Sequence, residues 1–207
     1  MSDNTASATA LGTQPGKPRK IVVGITGASG APYARTLLSF LSERQKTVGD
    51  VEVGVCFSQT APEVWQLECG GDLREEIKFP TGGLRDYNAP FASGSAGWHA
   101  MVIVPCSMGT CGRIAHGISD TLLTRAADVM IKERRPLVLV PRETPLSVIH
   151  LENLTALARA GATIMPAMPS FYGKPGTIDD LVRSVCARVL DHLGVPQAIS
   201  HKWGEKK

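Results

Sequence analysis

Residues 21–30, Ile-Val-Val-Gly-Ile-Thr-Gly-Ala-Ser-Gly, decide the fold. The first half is a continuously apolar run, which is typical of a strand covered on both faces in a parallel sheet. The second half is a glycine-rich turn, and a helix is predicted after it, from Tyr33 to Glu43. Such a turn presents backbone N–H groups to an anion, and the helix dipole adds to the attraction. The stretch therefore predicts an anion-binding strand-turn-helix unit or, without a ligand, a tight connection.

The glycine turn does not match two common nucleotide-binding motifs. Its glycines do not have the G-x-G-x-x-G spacing, and it lacks the lysine of a Walker loop. A single phosphate, such as that of FMN, fits this turn better than a pyrophosphate.

Apolar runs of strand length alternate with helical stretches along the rest of the chain. The predicted strands are Ile21–Ile25, Val51–Phe57, Met101–Val104, Leu137–Val140 and Ala162–Met165. The later predicted helices are Thr121–Arg134, Ser147–Ala160 and a last one with Ile178, Leu181, Val182, Val185, Val189 and Leu190 on one face. This alternation predicts a single α/β domain with a doubly wound parallel sheet, Rossmann-like or flavodoxin-like. Ligands of such sheets bind at the carboxyl ends of the strands.

Composition sets the class of protein. The 207 residues are 43% hydrophobic and 20% charged, and the net charge of +3 is too small to indicate a nucleic-acid partner. We find no apolar run of membrane-helix length and no secretory signal, and the five cysteines favour reduced thiols in a cytoplasm. We expect residues 1–18 to be a disordered tail, residues 19–195 to be the domain, and residues 196–207 to pack on a neighbouring subunit.

Polar residues follow three of the other predicted strands. Ser58 follows the second, and Ser107-Met108-Gly109-Thr110 follows the third, where these residues either bind the edge of a flat ring or cap the next helix. Arg142-Glu143 follows the fourth. This pair is either a phosphate-binding arginine beside an acid–base carboxylate or a solvated salt-bridge turn.

Metal ligands are not indicated. Cys106 and Cys111 have no second Cys/His pair at zinc-finger spacing, and Asp179-Asp180 is better explained as the start of a helix. We therefore predict no metal site.

Several longer strings resemble the UbiX-type flavin prenyltransferases. They are ITGASGAPYA, PCSMGT, LLTRAADVMIKERRPLVLVPRETPLSVIHLENL, PSFY and WGE, in the family's order from about Lys20 to Glu205. The resemblance implies a Rossmann-like domain, usually assembled into a dodecamer. It also implies a metal-independent prenyltransferase that joins dimethylallyl phosphate to reduced FMN. The product, prenylated FMN, would serve a UbiD-type decarboxylase.

The resemblance also implies the site residues. Those that contact FMN are Gly27, Ala28, Ser29, Ser58, Ser107, Met108, Gly109, Thr110, Arg125 and Arg142. Those that bind the prenyl phosphate are Lys132, Arg142, Glu143, Tyr172 and Arg188, of which the family takes Tyr172 and Arg188 from a neighbouring subunit. Those that manage protons are Ser29, Glu68 and Glu143. The main departure is Cys111, where many members carry Leu.

Two other functions compete with this interpretation. An FMN-dependent cysteine decarboxylase of the same fold typically has a PxMNxxM string and an early catalytic histidine, whereas this chain has PCSMGT and no histidine before His99. A non-catalytic FMN carrier would need the glycine turn but not the cluster implied for the prenyl phosphate.

Overall fold

The computed structural model describes residues 17–199 of the chain. One sheet contains five strands, β1 (Arg19–Ile25), β2 (Val51–Phe57), β3 (Ala100–Cys106), β4 (Leu137–Pro141) and β5 (Thr163–Ile164). Their order is β2-β1-β3-β4-β5, and every neighbouring pair is parallel. This is the flavodoxin-like order of a doubly wound sheet, so the predicted fold class is confirmed.

The central strand of the sheet is long and buried, whereas the edge strand β5 is short. All seven residues of the central β3 are buried, as the continuous apolar run predicts. The predicted last strand, Ala162–Met165, is reduced to the two residues of β5, both only partly buried. β5 lies at the edge of the sheet and pairs with β4 alone, so little holds a longer strand in place.

In the described part of the chain, seven α-helices connect and flank the strands. They are α1 (Ala31–Thr47), α2 (Ala61–Cys69), α3 (Leu73–Glu76), α4 (Met108–Ala115), α5 (Leu122–Lys132), α6 (Val148–Arg159) and α7 (Ile178–His192). The threonine or serine before α5, α6 and α7 accepts a hydrogen bond from the third backbone N–H of its helix, which fixes these three starts. The irregular segment between α3 and β3 contains two short 3-10 turns, Pro90–Ala92 and Gly94–Ala96.

The helices bury one apolar layer on each face of the sheet. Leu37 and Leu41 of α1 pack with Val185 and Val189 of α7 on one face. On the other face, buried side chains of α4 and α5 pack with Phe91 and other residues of the connection before β3.

One prediction for α7 is wrong. Ile178 was expected on the apolar face, but it lies in the first turn of the helix and is 79% exposed.

The topology separates two edges of the sheet. β1 and β3 lie on either side of the point where the chain reverses its direction of sheet growth, so the loops after them meet at the carboxyl edge. Helices α5 and α7 run back against the strands and end at the amino edge. The predicted terminal segments 1–18 and 196–207 lie mostly outside the described residues. Within residues 17–199, no helix is long and apolar enough to cross a membrane.

Candidate functional site

The loops after β1 and β3 are joined by Thr26. Its hydroxyl donates a hydrogen bond to the Pro105 carbonyl at 2.7 Å and accepts one from the Ser107 N–H at 2.9 Å. The side chain is almost fully buried. The residues predicted for the glycine turn and for the flavin edge are thus brought together at the carboxyl edge.

Ser107 caps α4, as one of the two sequence interpretations expects. Its hydroxyl accepts a hydrogen bond from the Thr110 N–H at 3.3 Å and lies 3.0 Å from the Thr110 hydroxyl. Met108 is buried, whereas Gly109 is exposed and would have open space around a Cβ. A helix cap and a ligand edge are compatible here, because the same turn leaves polar groups at the surface.

The start of α1 is not free for an anion, which corrects the expectation for the glycine turn. One carboxylate oxygen of Glu68, at the end of α2, accepts hydrogen bonds from the N–H groups of Gly30 and Ala31, each at 2.8 Å. Gly30 belongs to the turn that was expected to present free N–H groups to an anion, whereas the predicted FMN contacts in this turn are Gly27, Ala28 and Ser29. The helix dipole favours this carboxylate for the same reason that it would favour a phosphate.

The environment of Glu68 keeps its carboxylate ionised. Burial acts to raise the pKa of Glu68, but a hydrogen bond with the Ser29 side chain, the two backbone N–H groups and the positive charge of Arg142 outweigh it. The pKa of Glu68 therefore lies below its ordinary value of 4.5.

Ser29, Glu68 and Arg142 form one cluster at this edge. The Arg142 Nε donates a hydrogen bond to the Ser29 carbonyl at 3.0 Å, and the Arg142 backbone N–H donates one to the Cys106 carbonyl at 3.3 Å. The cluster is built from the loop after β1, the end of α2 and the residue after β4. The sequence placed all three residues at one site, and the structure brings them together.

A phosphate still has a place beside Glu68. The Ser58 hydroxyl lies 3.3 Å from the Thr60 hydroxyl, and a Cβ at Gly27 would overlap Thr60 Oγ1. In the described part of the chain, the N–H groups of Gly27 and Ser29 donate to no protein acceptor. These two N–H groups and two hydroxyls are donors that a phosphate could use. Thr60 was not predicted as a site residue, because only its closeness to Gly27 and Ser58 in the folded chain marks it as one.

Glu143 is not the buried carboxylate that its place after a strand suggested. It lies two residues beyond the end of β4, is exposed, and accepts a hydrogen bond from the Thr144 N–H at 3.0 Å. Among the described residues it makes no ion pair with Arg142. It lies at the site edge, open to solvent or to a neighbouring chain.

Lys132 does not join this cluster within one chain. It ends α5 at the amino edge, forms an ion pair with Glu133, and lies beside Gly94. A helix that precedes a parallel strand ends where that strand begins, which is why Lys132 and Arg142 lie at opposite edges.

Of three other predicted residues, Arg125 and Arg188 pair with acidic side chains outside the cluster, and Tyr172 is exposed. Arg125, on α5, donates a hydrogen bond to the Ala92 carbonyl and pairs with Asp128. Arg188 pairs with Asp191 near the end of α7. Tyr172 is exposed in the loop before α7.

Cys111 packs directly against Cys106 beneath the turn before α4. Both thiols are fully buried and their sulfur atoms lie 3.4 Å apart. The hydrogen bond with Cys111 and burial hold the pKa of Cys106 well above its ordinary value. The departure at Cys111 therefore changes packing under the turn and not the groups at its surface.

Metal-ligating side chains are not clustered in this region. Across residues 17–199, no group of three or more His, Cys, Asp or Glu side chains is placed to hold a metal ion.

Comparison with known proteins shows the family. The sequence model of the Flavoprotein family matches residues 10–190. The flavin prenyltransferase UbiX of Alkalihalophilus pseudofirmus is 45% identical over 199 residues, covering 89% of this chain and 96% of that protein.

Two solved structures match over nearly the whole chain. The dodecameric FMN-dependent UbiX-like decarboxylase from Escherichia coli O157:H7 is 43% identical with a TM-score of 0.84, covering 90% of this chain and 100% of that one. AnUbiX (PadA1), solved in complex with FMN and dimethylallyl pyrophosphate, is 39% identical with a TM-score of 0.84, covering 92% and 100%. Fold, site and sequence agree, and the chain belongs to the flavoprotein family and, within it, to the UbiX-type flavin prenyltransferases.

Proposed function

We propose that this enzyme transfers the dimethylallyl group of dimethylallyl phosphate to reduced FMN and releases prenylated FMN and phosphate. The observation that carries this proposal is the cluster of Ser29, Glu68 and Arg142 at the carboxyl edge of a flavin prenyltransferase fold. A hydroxyl, a carboxylate and a guanidinium provide proton transfer and anion binding without a metal.

The glycine turn and its neighbours would hold FMN. The N–H groups of Gly27 and Ser29 and the hydroxyls of Ser58 and Thr60 would bind its phosphate. The turn from Ser107 to Thr110 would contact the edge of its ring. When bound, reduced FMN supplies the nucleophilic ring atoms that are alkylated.

Arg142 would bind the prenyl phosphate. Its Nε is fixed by the Ser29 carbonyl, so the guanidinium is oriented before the substrate arrives. Positive charge at this point stabilises the negative charge that develops on the departing phosphate. Additional charge would come from Lys132 and Arg188 of neighbouring subunits, because both lie near the amino edge of their own chain.

Proton transfer would use two carboxylates. Glu68 lies beside Ser29 with its carboxylate ionised, so it can accept a hydrogen bond from the Ser29 hydroxyl and orient it for proton transfer. Glu143 is exposed at the same edge and can exchange protons with the substrates.

We further propose a homododecamer in the cytoplasm. The start of α6 exposes Val148, Ile149 and Leu151, and the loop before α7 exposes Met168 and Phe171, which supports burial of these faces between subunits. All five cysteines are free thiols, which supports a reducing compartment. A UbiD-type decarboxylase would receive the product.

The direct test is a single reaction. The protein is mixed anaerobically with reduced FMN and dimethylallyl phosphate, and the released flavin is weighed by mass spectrometry. We expect a flavin heavier by one five-carbon unit. Recovery of unmodified FMN under conditions where the protein binds FMN would overturn the proposal.

A further inference from the structure

The backbone pairing between β1 and β3 stops before the two loops of the site begin. The last pair of the ladder is Gly24 with Ile103. Pro105 has no N–H to continue a ladder, and the pairing of β3 with β4 shifts register between Ile103 and Cys106. A backbone hydrogen bond from the Thr26 N–H to the Pro105 carbonyl continues past this point, but the regular ladder does not reach the two turns, residues 27–30 and residues 107–110.

The side chain of Thr26 takes the place of the missing ladder. Its hydroxyl donates to the Pro105 carbonyl at 2.7 Å and accepts from the N–H groups of Ser107 at 2.9 Å and Ala28 at 3.5 Å. A hydroxyl has one proton to donate and two lone pairs, so these three bonds use it completely. The Thr26 N–H adds a bond to the same Pro105 carbonyl at 3.2 Å.

We propose that Thr26 is a positioning residue whose hydroxyl sets the geometry between the glycine turn and the turn from Ser107 to Thr110. This inference rests on the proposed function only because those two turns are taken as the FMN site. Removing the hydroxyl would leave the partly buried Ser107 N–H without its acceptor, and a turn that starts with an unpaired donor shifts to find another. A threonine suits this task because its branched side chain has a stiff χ1.

The chain offers a matched control in Thr124. Thr26 and Thr124 are the two fully buried polar side chains of the described residues, each 2% exposed. The Thr124 hydroxyl bonds within its own helix cap, to Thr121 three residues earlier. The Thr26 hydroxyl instead bonds to residues 79 and 81 positions away. Replacing either threonine by valine removes one buried hydroxyl at nearly constant volume. Only the change at Thr26 removes hydrogen bonds that link the two turns.

The experiment compares Thr26→Val, Thr26→Ser and Thr124→Val in the full chain. The Kd for FMN is measured by flavin fluorescence, and hydrogen exchange of the Ser107 amide is measured without FMN. For Thr26→Val we expect the Kd to rise about tenfold or more and Ser107 exchange to accelerate by a similar factor. Thr26→Ser should stay within about threefold of wild type, and Thr124→Val within about twofold despite a comparable loss of thermal stability.

Two results would overturn the inference. One is a Thr26→Val protein that binds FMN within about twofold of wild type. The other is a Thr124→Val protein that loses as much FMN affinity as Thr26→Val. If Thr26→Val does not fold, Thr26→Cys, with its weaker donor and acceptor, takes its place, and equal FMN affinity of Thr26→Cys and Thr26→Ser would count against us.

Failure of the proposed function is separable from these results. A wild-type protein that binds FMN but does not prenylate it leaves the Thr26 comparison intact. A wild-type protein that does not bind FMN refutes the proposed function, and Ser107 exchange then tests the Thr26 bonds alone.

Discussion

Glu143 makes few contacts within its own chain. It is exposed, and its recorded bond is to the neighbouring Thr144 N–H. A carboxylate held so loosely contributes little to the stability of its own chain. Its place beside Arg142, which binds Ser29, is therefore better explained by chemistry on a substrate than by stability.

We predict that Glu143→Gln separates chemistry from binding. Gln keeps the shape and removes the titratable group, so FMN affinity should remain near that of wild type. Turnover should fall by about 10²–10⁴-fold, the usual contribution of a general acid or base. Glu75→Gln, an exposed carboxylate on α3, is the control and should change neither quantity. Turnover of Glu143→Gln within a few-fold of wild type would assign the proton transfer to Ser29 or Glu68.

Glu68 gives a prediction about stability and pH. Glu68→Gln replaces an ionised cap of α1 by a neutral one and should lower the unfolding free energy by about 1 kcal/mol at pH 7. The folded pKa of Glu68 is depressed, so its contribution is present above the unfolded pKa and is lost as the pH falls through the folded pKa, below 4.5.

Denaturant unfolding of wild type and Glu68→Gln at several pH values tests this. The difference between the two proteins should be constant near neutrality and should shrink below pH 4.5. Glu43→Gln, an exposed carboxylate on α1, should show no such change. A difference that grows as the pH falls would contradict the assignment.

At the scale of elements, helix direction decides which residues one chain can bring together. The residue after β4, Arg142, lies at the carboxyl edge, whereas Lys132 closes the helix that leads into β4 and lies at the amino edge. A strand length separates them. Lys132 and Arg142 can meet at one phosphate only when they come from different chains.

We therefore predict complementation between two inactive variants. Lys132→Ala and Ser29→Ala chains should each be inactive, and their mixed assemblies should regain activity at roughly a quarter of the sites, because each site takes Ser29 from one copy and Lys132 from another. The two proteins assayed separately are the control. No regained activity from assemblies shown by mass spectrometry to be mixed would mean that Lys132 is not shared.

The sequence was sufficient for the elements with strong periodicity and weaker for the rest. The continuous apolar runs predicted β1 to β4, and the helical stretches between and after them predicted α5 to α7. The helix α2 was missed because it is short and buries only Ala61 and Trp65. A helix after Ser107 was one of two interpretations, but its bounds were not predicted, because the eight residues of α4 include Gly109 and Gly112, which are poor helix formers.

The site shows the same division. Ser29, Glu68 and Arg142 were identified through family motifs, and the structure brings them together. Thr26 and Thr60 were not, because their roles depend on contacts between loops that are distant along the chain or that fold back in space. Chain order alone is enough to infer that Lys132 lies at the amino edge of the sheet, since it ends a helix that leads into a parallel strand.

At the scale of the whole molecule, charge replaces a metal ion in the proposed site. In this proposal, Arg142 and the Lys132 and Arg188 of neighbouring subunits would provide the positive charge that Mg²⁺ provides to many diphosphate-cleaving enzymes. Donors in fixed positions would stabilise the negative charge on the departing phosphate, and they need not reorient during the reaction. The proposed assembly is what completes this set of charges.

We expect prenyl transfer to be independent of divalent metal. Activity measured after treatment with EDTA and gel filtration should equal that of untreated protein, and added Mg²⁺ should change nothing. Activity that is lost on chelation and restored by Mg²⁺ would contradict the prediction. The control is light scattering of the treated protein, which distinguishes loss of a metal from loss of the assembly.

The Glu68 cap on α1 has a consequence for how long the flavin remains. When the first N–H groups of a helix donate hydrogen bonds to a bound phosphate, they lose their acceptor as soon as that phosphate departs. Here the Glu68 carboxylate accepts hydrogen bonds from Gly30 and Ala31, so these two N–H groups need no phosphate, and its charge opposes an anion at the same place. The start of α1 therefore does not depend on a bound phosphate for its hydrogen bonds. For an enzyme whose flavin leaves as product, such a cap favours turnover over retention.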